Sequence, residues 1–379
     1  MAGVVPKIYF IFLGTKWNIF SQALINNSLC KYYHQLFRKS GIIPEHFGNN
    51  LQRFCSQLHK NHLCTAFLIF IQSSHMLDIV IEARKAALNP AVQVKRILPF
   101  RQRRMIGPFI FMDHAGPVAD ISSAPGELDV LPHPHIGLST VSYLFGGQVT
   151  HRDSLGVEQI ILPGEVNWMT AGRGIAHSER FEDPSALQGG LEMIQTWVAL
   201  PEKDEEAMPS FDNYKPQQLP VYTDTGVWMR LIAGNAYGLN NDVKTNSPLF
   251  YLHVALDAGA VFALPKEHSE RGFYIVKGSV ELAGITYNAG QMLVFTKGVD
   301  PKIKAKEATT LMMLGGEPLG ERYIWWNFVS SRKERIEQAK EDWKQGRIIL
   351  PPNDNKEFVP LPEDKSKPAG GPPNPGFLS

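Results

Sequence analysis

The alternation of hydrophobic and polar residues changes abruptly at Met76. Residues 1–75 sustain neither the 3.6-residue period of an amphipathic helix nor the two-residue period of a strand. From residue 77 to about residue 328, short segments rich in β-branched and aromatic residues, such as Leu77–Glu82, are separated by Gly, Pro, Asn and Asp. Many short strands with frequent turns predict an all-β fold of the sandwich or jelly-roll type.

Two parts of this β-rich region repeat each other. Glycines that recur at equal places indicate turns with special backbone angles, reused in a duplicated unit. We therefore predict two tandem lobes, at residues 76–210 and 222–328. The recurring positions are Tyr143, Gly147, Val149, Gly164, Thr170 and Gly172, matched by Tyr274, Gly278, Val280, Gly290, Thr296 and Gly298.

The C-terminal part of the chain predicts one helix and a tail. Ser331 and Glu334 have capping-box spacing, and Ile336, Ala339 and Trp343 form one apolar stripe, so a helix is expected within residues 329–347. Residues 350–379 are rich in Pro, Gly, Lys and Asn. Such a composition buries too little apolar surface to fold, and predicts a disordered tail.

Residues 1–75 are expected to be an extension outside the fold. They carry seven Lys or Arg and one acidic residue, Glu45, together with eight of the 21 Phe. A mis-set start, with translation from Met76, explains this break in composition. The competing interpretation is an organelle transit peptide, which is usually richer in Arg than the two present, Arg38 and Arg53.

Charge and cysteine content limit the function classes. The 379 residues include 38 basic and 37 acidic residues, which gives no electrostatic reason to expect direct nucleic-acid binding or an anionic membrane as partner. No apolar run approaches the 18 or so residues of a membrane span. All three Cys precede residue 76, so the body holds no disulfide, which fits a reducing compartment but would fit an exported protein too. We expect a cytoplasmic monomer.

Two pairs of metal-binding residue types lie in the first predicted lobe. His133 and His135 are spaced i, i+2, and so are His177 and Glu179. Side chains alternate along a strand, so each pair shares one face. Two such strands side by side would bring three imidazoles and a carboxylate to one metal site. The alternative is a pair of ordinary loop histidines and a solvated strand end.

The repeat predicts that the second lobe lacks a metal. Its positions equivalent to the four candidate ligands are Leu264, Lys266, Ile303 and Ala305, and none of these residues is a usable metal ligand. The segment His268-Ser-Glu270 repeats the letters of the first site but has no partner pair, so we interpret it as a solvated strand entry.

Four further residues are candidates for supporting the ligands from behind. A metal-binding histidine usually donates its second ring nitrogen to a carboxylate or carbonyl oxygen. His151 and Asp153 have the same i, i+2 spacing, and Asp113 and His114 are the other candidates. Each of them is also compatible with an ordinary packing role.

Five segments between residues 76 and 350 carry a family resemblance. They are residues 104–113 (RMIGPFIFMD), 133–147 (HPHIGLSTVSYLFGG), 150–156 (THRDSLG), 163–180 (PGEVNWMTAGRGIAHSER) and 325–331 (WWNFVSS). These segments resemble the pirin family of the cupin superfamily. The resemblance implies two tandem cupin lobes with one mononuclear Fe(II) per chain, held by His133, His135, His177 and Glu179. Mn, Ni, Zn and Cu are the alternative metals.

The resemblance implies three hypotheses for function. The first is a dioxygenase like the quercetin 2,3-dioxygenases, acting with dioxygen on a flavonol or a related enediol-like aromatic, with Glu179 as ligand and general base. The second is a non-catalytic, metal-dependent redox-sensing partner of a transcription regulator or metabolic enzyme. The third is a structural protein whose metal only steadies the lobe.

Overall fold

A computed structural model of the chain describes residues 76–362 except 88–92, 119–125, 184 and 186–187. The predicted extension, residues 1–75, lies outside the described residues. Among the described residues, 77–282 and 286–362 belong to one compact unit, which contains both lobes.

The first lobe consists of a large and a small antiparallel sheet. The large sheet has the order β12-β9-β6-β11-β4-β3-β2, and the small one has the order β5-β10-β7-β8. The strands are β2 (Arg84–Ala87), β3 (Gln93–Leu98), β4 (Phe109–Val118), β5 (Val130–His135), β6 (Leu138–Gly146), β7 (Val149–Asp153), β8 (Glu158–Ile161), β9 (Val166–Thr170), β10 (Ile175–Arg180), β11 (Leu191–Ala199) and β12 (Ser210–Tyr214).

The second lobe repeats this arrangement with the orders β1-β21-β18-β23-β16-β14-β13 and β17-β22-β19-β20, and β15 pairs with β14. Its strands are β1 (Leu77–Glu82), β13 (Val221–Asp224), β14 (Val227–Ala236), β15 (Leu239–Asn240), β16 (Leu249–Leu256), β17 (Val261–Ala263), β18 (Glu270–Lys277), β19 (Ser279–Leu282), β20 (Ile285–Asn288), β21 (Gln291–Phe295), β22 (Lys302–Ala305) and β23 (Thr309–Gly316). The predicted all-β fold of two jelly-roll lobes is confirmed.

The two large sheets pack against each other through a shared apolar core. Tyr143 and Trp168 of the first lobe and Tyr251 and Tyr274 of the second are buried in one cluster. Burying four aromatic rings contributes several kcal/mol, at roughly 2 kcal/mol for a large apolar side chain. This core holds the large sheet of the first lobe rigid from behind, while its other face is turned to the small sheet.

The ends of the chain cross between the lobes. Strand β1, at the start of the predicted first lobe, pairs with β21 in the second-lobe sheet, where Ile81 lies opposite Met292. The hairpin of β24 (Tyr323–Trp325) and β25 (Phe328–Ser330) returns to the first lobe, and Phe328 bridges to Ile136 at the end of β5. Each lobe is thus completed by residues from the far end of the chain.

The predicted C-terminal helix is α1 (Lys333–Lys344), and the predicted stripe of Ile336, Ala339 and Trp343 is buried. The capping box is wrong, because α1 begins after Arg332 and no side chain caps it. The Glu205 carboxylate instead accepts hydrogen bonds from the Ser330 hydroxyl and the Ser331 backbone N–H, at 2.7 and 2.8 Å.

Part of the predicted tail lies against the first lobe. Asp354 accepts hydrogen bonds from Arg180 at 2.7 Å and from the Ser178 hydroxyl at 2.7 Å, and both of these residues belong to β10. The backbone N–H of Val359 donates to the carbonyl oxygen of Pro132 in β5 at 2.8 Å. Residues 350–362 therefore differ from the expected disorder because ion pairs and a few apolar contacts fix them, while 363–379 lie outside the described residues. No helix in the described part of the chain is long and apolar enough to cross a membrane.

Candidate metal centre

The small sheet of the first lobe brings the predicted ligands into register. Strand β10 lies between β5 and β7, with His177 opposite His133 on one side and opposite Asp153 on the other. Glu179 lies opposite His151. Directly opposed residues in antiparallel strands share a face, so these side chains all project into the interior of the lobe.

Three imidazoles converge on one point. One nitrogen each from His133, His135 and His177 lies within 4.8 Å of the others, and all three residues are buried. The ring centroids are 4.4 Å apart for His133 and His177 and 5.1 Å apart for His135 and His177. This spacing allows one metal ion to be bound by all three rings.

Hydrogen bonds fix which nitrogen each ring offers. Nδ1–H of His133 donates to the Leu131 carbonyl oxygen at 2.9 Å, and Nδ1–H of His135 donates to the Asn327 carbonyl oxygen at 3.1 Å. In a neutral ring the other nitrogen then carries the lone pair. Both Nε2 atoms are therefore in the form that binds a metal.

His177 is fixed by a chain of two further side chains. Its Nδ1 lies 3.3 Å from Nδ1 of His151, and Nε2–H of His151 donates to Oδ2 of Asp153 at 3.0 Å. His151 must then accept from His177, which leaves Nε2 of His177 without a proton. That atom is buried and has no hydrogen-bond partner. A buried acceptor nitrogen without a hydrogen-bond partner, close to a ring nitrogen of His133 and one of His135, is the observation that fits a bound metal.

The same surroundings keep the ligands neutral. Burial lowers the pKa of His133 to about 4, and lowers the pKa of His135 and of His177 well below the usual 6.5, with the neighbouring imidazoles acting in the same direction. Protonation of buried rings that face each other is unfavourable. At neutral pH all three can bind a cation without first losing a proton.

Glu179 lies beside the three-histidine group but outside it. The residue as a whole is partly buried. Burial raises its pKa to about 7, against a smaller opposite effect of the hydrogen bond with the Ser142 hydroxyl. A carboxylate with this pKa is suited to accept a proton near neutral pH. Its role as fourth ligand stays a prediction.

The structure separates the four candidate supporting residues. His151 and Asp153 lie directly behind His177, and Asp153 also accepts from the backbone N–H of Leu155 at 2.9 Å. Asp113 faces the lobe interior from β4 and forms a two-bond ion pair with Arg96 at 2.9 and 2.7 Å.

His114 lies on the other face of the same strand, towards the second lobe. The Tyr274 hydroxyl donates to its Nδ1 at 3.0 Å, and its Nε2–H donates to Glu192 at 3.1 Å. These two bonds use both ring nitrogens, so His114 packs between the lobes rather than beside the ligands.

Sequence reasoning missed three residues that contact this centre. Asn327, 192 positions from His135, supplies a carbonyl oxygen. Ser142 contacts Glu179 and donates to Oε1 of Gln195 at 2.7 Å. A polar Gln within the largely apolar segment Leu191–Ala199 was the available signal, whereas nothing local marks Asn327.

Asp153→Asn is expected to weaken metal binding by about 10- to 100-fold, the usual range for a partner behind a histidine ligand. The neutral amide is a weaker acceptor for Nε2–H of His151 than the charged carboxylate. His151 then holds the Nδ1 proton of His177 less firmly, so the lone pair on Nε2 of His177 is less well fixed. Competition with a chromophoric chelator measures the affinity. Asp183→Asn, an exposed acid beyond β10, is the matched control, and equal loss in the two variants would contradict this role.

Comparisons with known proteins agree with the fold of two cupin lobes. Residues 91–198 match the family model for pirin, and residues 251–349 match that for the pirin C-terminal cupin domain. A pirin-like protein of Caulobacter vibrioides is 53% identical over 289 residues, covering 76% of this chain and all of the relative. Human pirin is 28% identical over 284 residues, covering 73% of this chain and 94% of the relative.

Two further matches carry the name of an activity. A Pseudomonas aeruginosa protein, named provisionally as a quercetin 2,3-dioxygenase, is 37% identical over 275 residues, covering 72% of this chain and 85% of its own. The crystal structure of a quercetin 2,3-dioxygenase from Acinetobacter baumannii is 31% identical with a TM-score of 0.70, covering 79% of this chain and 99% of its own. The family models and the relatives together show that this chain, with its two cupin lobes and its three converging histidines, belongs to the pirin family.

Proposed function

We propose that the chain is a metal-dependent dioxygenase of the quercetin 2,3-dioxygenase type, acting on a flavonol or a related enediol-like aromatic. The observation that carries this proposal is the convergence of the His133, His135 and His177 ring nitrogens, with the buried Glu179 carboxyl group beside them. The likeness to the Acinetobacter enzyme supports the reaction class.

The donor set favours iron over zinc. His133, His135, His177 and Glu179 would hold the metal through three nitrogens and one oxygen, a set suited to an octahedral ion with two open positions. Zinc more often occupies a closed tetrahedral site. A bound iron would supply the redox chemistry by which dioxygen reacts with an aromatic substrate.

The protein's own contribution is to bind, orient and deprotonate the substrate. Glu179 is placed to take the proton of a flavonol hydroxyl, which makes the ring electron-rich. Ser142 restrains that carboxylate through its hydroxyl. Trp197 packs edge-on against His135 at 5.1 Å and excludes water from that side of the ligands.

Oxygen uptake with quercetin tests the proposal. Metal-stripped protein reloaded with Fe(II) is expected to consume oxygen with quercetin, and the stripped protein is expected to consume none. Reloading with Mn, Ni, Zn or Cu salts in parallel identifies the metal that supports turnover. A metal-loaded protein that consumes no oxygen with quercetin would refute the enzyme and favour a non-catalytic, metal-dependent binding partner.

A further inference from the structure

A row of polar side chains crosses the wall of the first lobe that faces the metal centre. Asp113, Gln195, Ser142 and Asn167 lie directly opposite one another on β4, β11, β6 and β9. Opposed residues share a face. Trp197, two residues after Gln195 and on the same face, contacts the His135 ring, so the whole row looks towards the ligands.

Most of this row is buried and already paired. Asp113 is held by Arg96 through two hydrogen bonds, and the Asn167 side chain accepts from the Asn213 amide at 2.8 Å. Asp113, Ser142 and Asn167 are all buried. Gln195 differs because it is only partly buried, as is Glu179 on the facing sheet.

The Gln195 amide has a fixed direction and unused donors. Its Oε1 accepts from the Ser142 hydroxyl at 2.7 Å, and among the described residues its Nε2 donates to no protein atom. With the oxygen turned to Ser142, the two N–H groups must point elsewhere, because the amide is planar. Ser142 also contacts the Glu179 carboxyl group, so its hydroxyl lies between that group and the amide oxygen of Gln195.

We propose that Gln195 is a substrate-contact residue whose amide N–H binds a carbonyl oxygen on the carbon adjacent to the hydroxyl that Glu179 deprotonates, with Ser142 as the residue that positions both. This inference rests on the proposed function and deepens it, since it defines the substrate class as a hydroxyl and a carbonyl on neighbouring carbons. A flavonol, with its 3-hydroxyl and 4-carbonyl, has that pattern.

The pairing also predicts what the site rejects. A ligand that has the hydroxyl but no adjacent carbonyl leaves the amide donors of Gln195 without an acceptor when it covers them. A site built to form a hydrogen bond discriminates against an analogue that lacks the partner, because its own polar group is then left unpaired. Catechin, a flavan-3-ol without the 4-carbonyl, is the matching probe.

The test measures anaerobic binding of quercetin and catechin to metal-loaded wild type, Gln195→Glu and Gln195→Met by fluorescence. Both substitutions keep the approximate length of the side chain, and both remove the N–H donors. We expect the dissociation constant for quercetin to rise by about 10- to 100-fold, the effect of one or two hydrogen bonds. Catechin should bind the two variants at least as tightly as the wild type, because the variants have no N–H donors that it would leave unpaired. Gln217→Glu, at an exposed position between the lobes, is the matched control.

Two outcomes distinguish this inference from the proposed function. The role of Gln195 would be overturned if a variant with unchanged metal content and melting temperature bound quercetin and catechin equally more weakly, or bound both as tightly as the wild type. Selective loss of quercetin binding would support it. Oxygen uptake by the wild type is measured separately, and an absence of turnover with the selective binding intact would refute the enzyme while keeping the carbonyl contact. In a turnover assay, the KM for quercetin should rise more than kcat falls.

Discussion

His177→Ala is expected to remove most of the metal from the purified protein. Wild type should carry close to one transition metal per chain, because the three Nε2 atoms form one group in the described residues. If roughly 12 kcal/mol of metal binding is shared among four ligands, each contributes about 3 kcal/mol, or more than 100-fold in affinity. The variant also leaves His151 without its hydrogen-bond partner. Elemental analysis after gel filtration measures the content.

His268→Ala provides the matched control for this experiment. His268 begins the same His-Ser-Glu sequence in the second lobe, but it stacks on Phe250 at 5.6 Å and donates to the Asn235 carbonyl oxygen at 3.1 Å. Its removal should lower thermal stability and leave the metal content unchanged. Metal retained in His177→Ala, or lost in His268→Ala, would show that the three-histidine group is not the binding site.

The ligands of the first lobe were accessible from sequence because their geometry is local. Alternation along a strand fixes that His133 and His135 share a face, whatever the rest of the fold. The repeat then places the equivalents of His177 and Glu179 at Ile303 and Ala305, and the structure has both in β22, which corresponds to β10. Both residues are buried in the second lobe.

Contacts that depend on register and on chain crossing were not accessible. The pairing shifts between His177 and Glu179, where β5 has one extra residue against β10 and Glu179 pairs with Val130. A strand pattern of period two contains no sign of such a shift. The Asn327 carbonyl reaches His135 only because the C-terminal hairpin returns to the first lobe. The prediction of a capping box failed for a similar reason, since a distant Glu205 takes the Ser331 N–H.

The roles of the polar residues in the large sheet also could not be predicted from the sequence pattern. Ser142 and Gln195 each stand in an apolar strand, and sequence marks them only as exceptions to burial. Their joint meaning comes from being opposed across β6 and β11, with a 2.7 Å hydrogen bond between them. Local pattern therefore predicts which residues face the interior, whereas strand pairing decides which of them act together.

Glu179→Gln is expected to lower turnover per bound metal by about 10²- to 10⁴-fold, the usual contribution of a general base. Glutamine keeps a neutral oxygen that can lie near the metal and can accept from Ser142. It has no capacity to take the proton of a substrate hydroxyl. Metal occupancy should fall much less than the rate, because His133, His135 and His177 are untouched.

The measurement separates the role of Glu179 as base from its role as ligand. The rate of quercetin consumption is divided by the metal content of the same sample, for wild type and Glu179→Gln, in air and then without oxygen as the blank. Glu182→Gln, three residues later and exposed beside Arg152, is the control and should retain wild-type turnover. A loss of rate that only follows the loss of metal would make Glu179 a ligand and no more. A loss of rate at full occupancy would instead identify Glu179 as the proton acceptor, a role that fits the pKa of about 7 to which burial raises this carboxyl group.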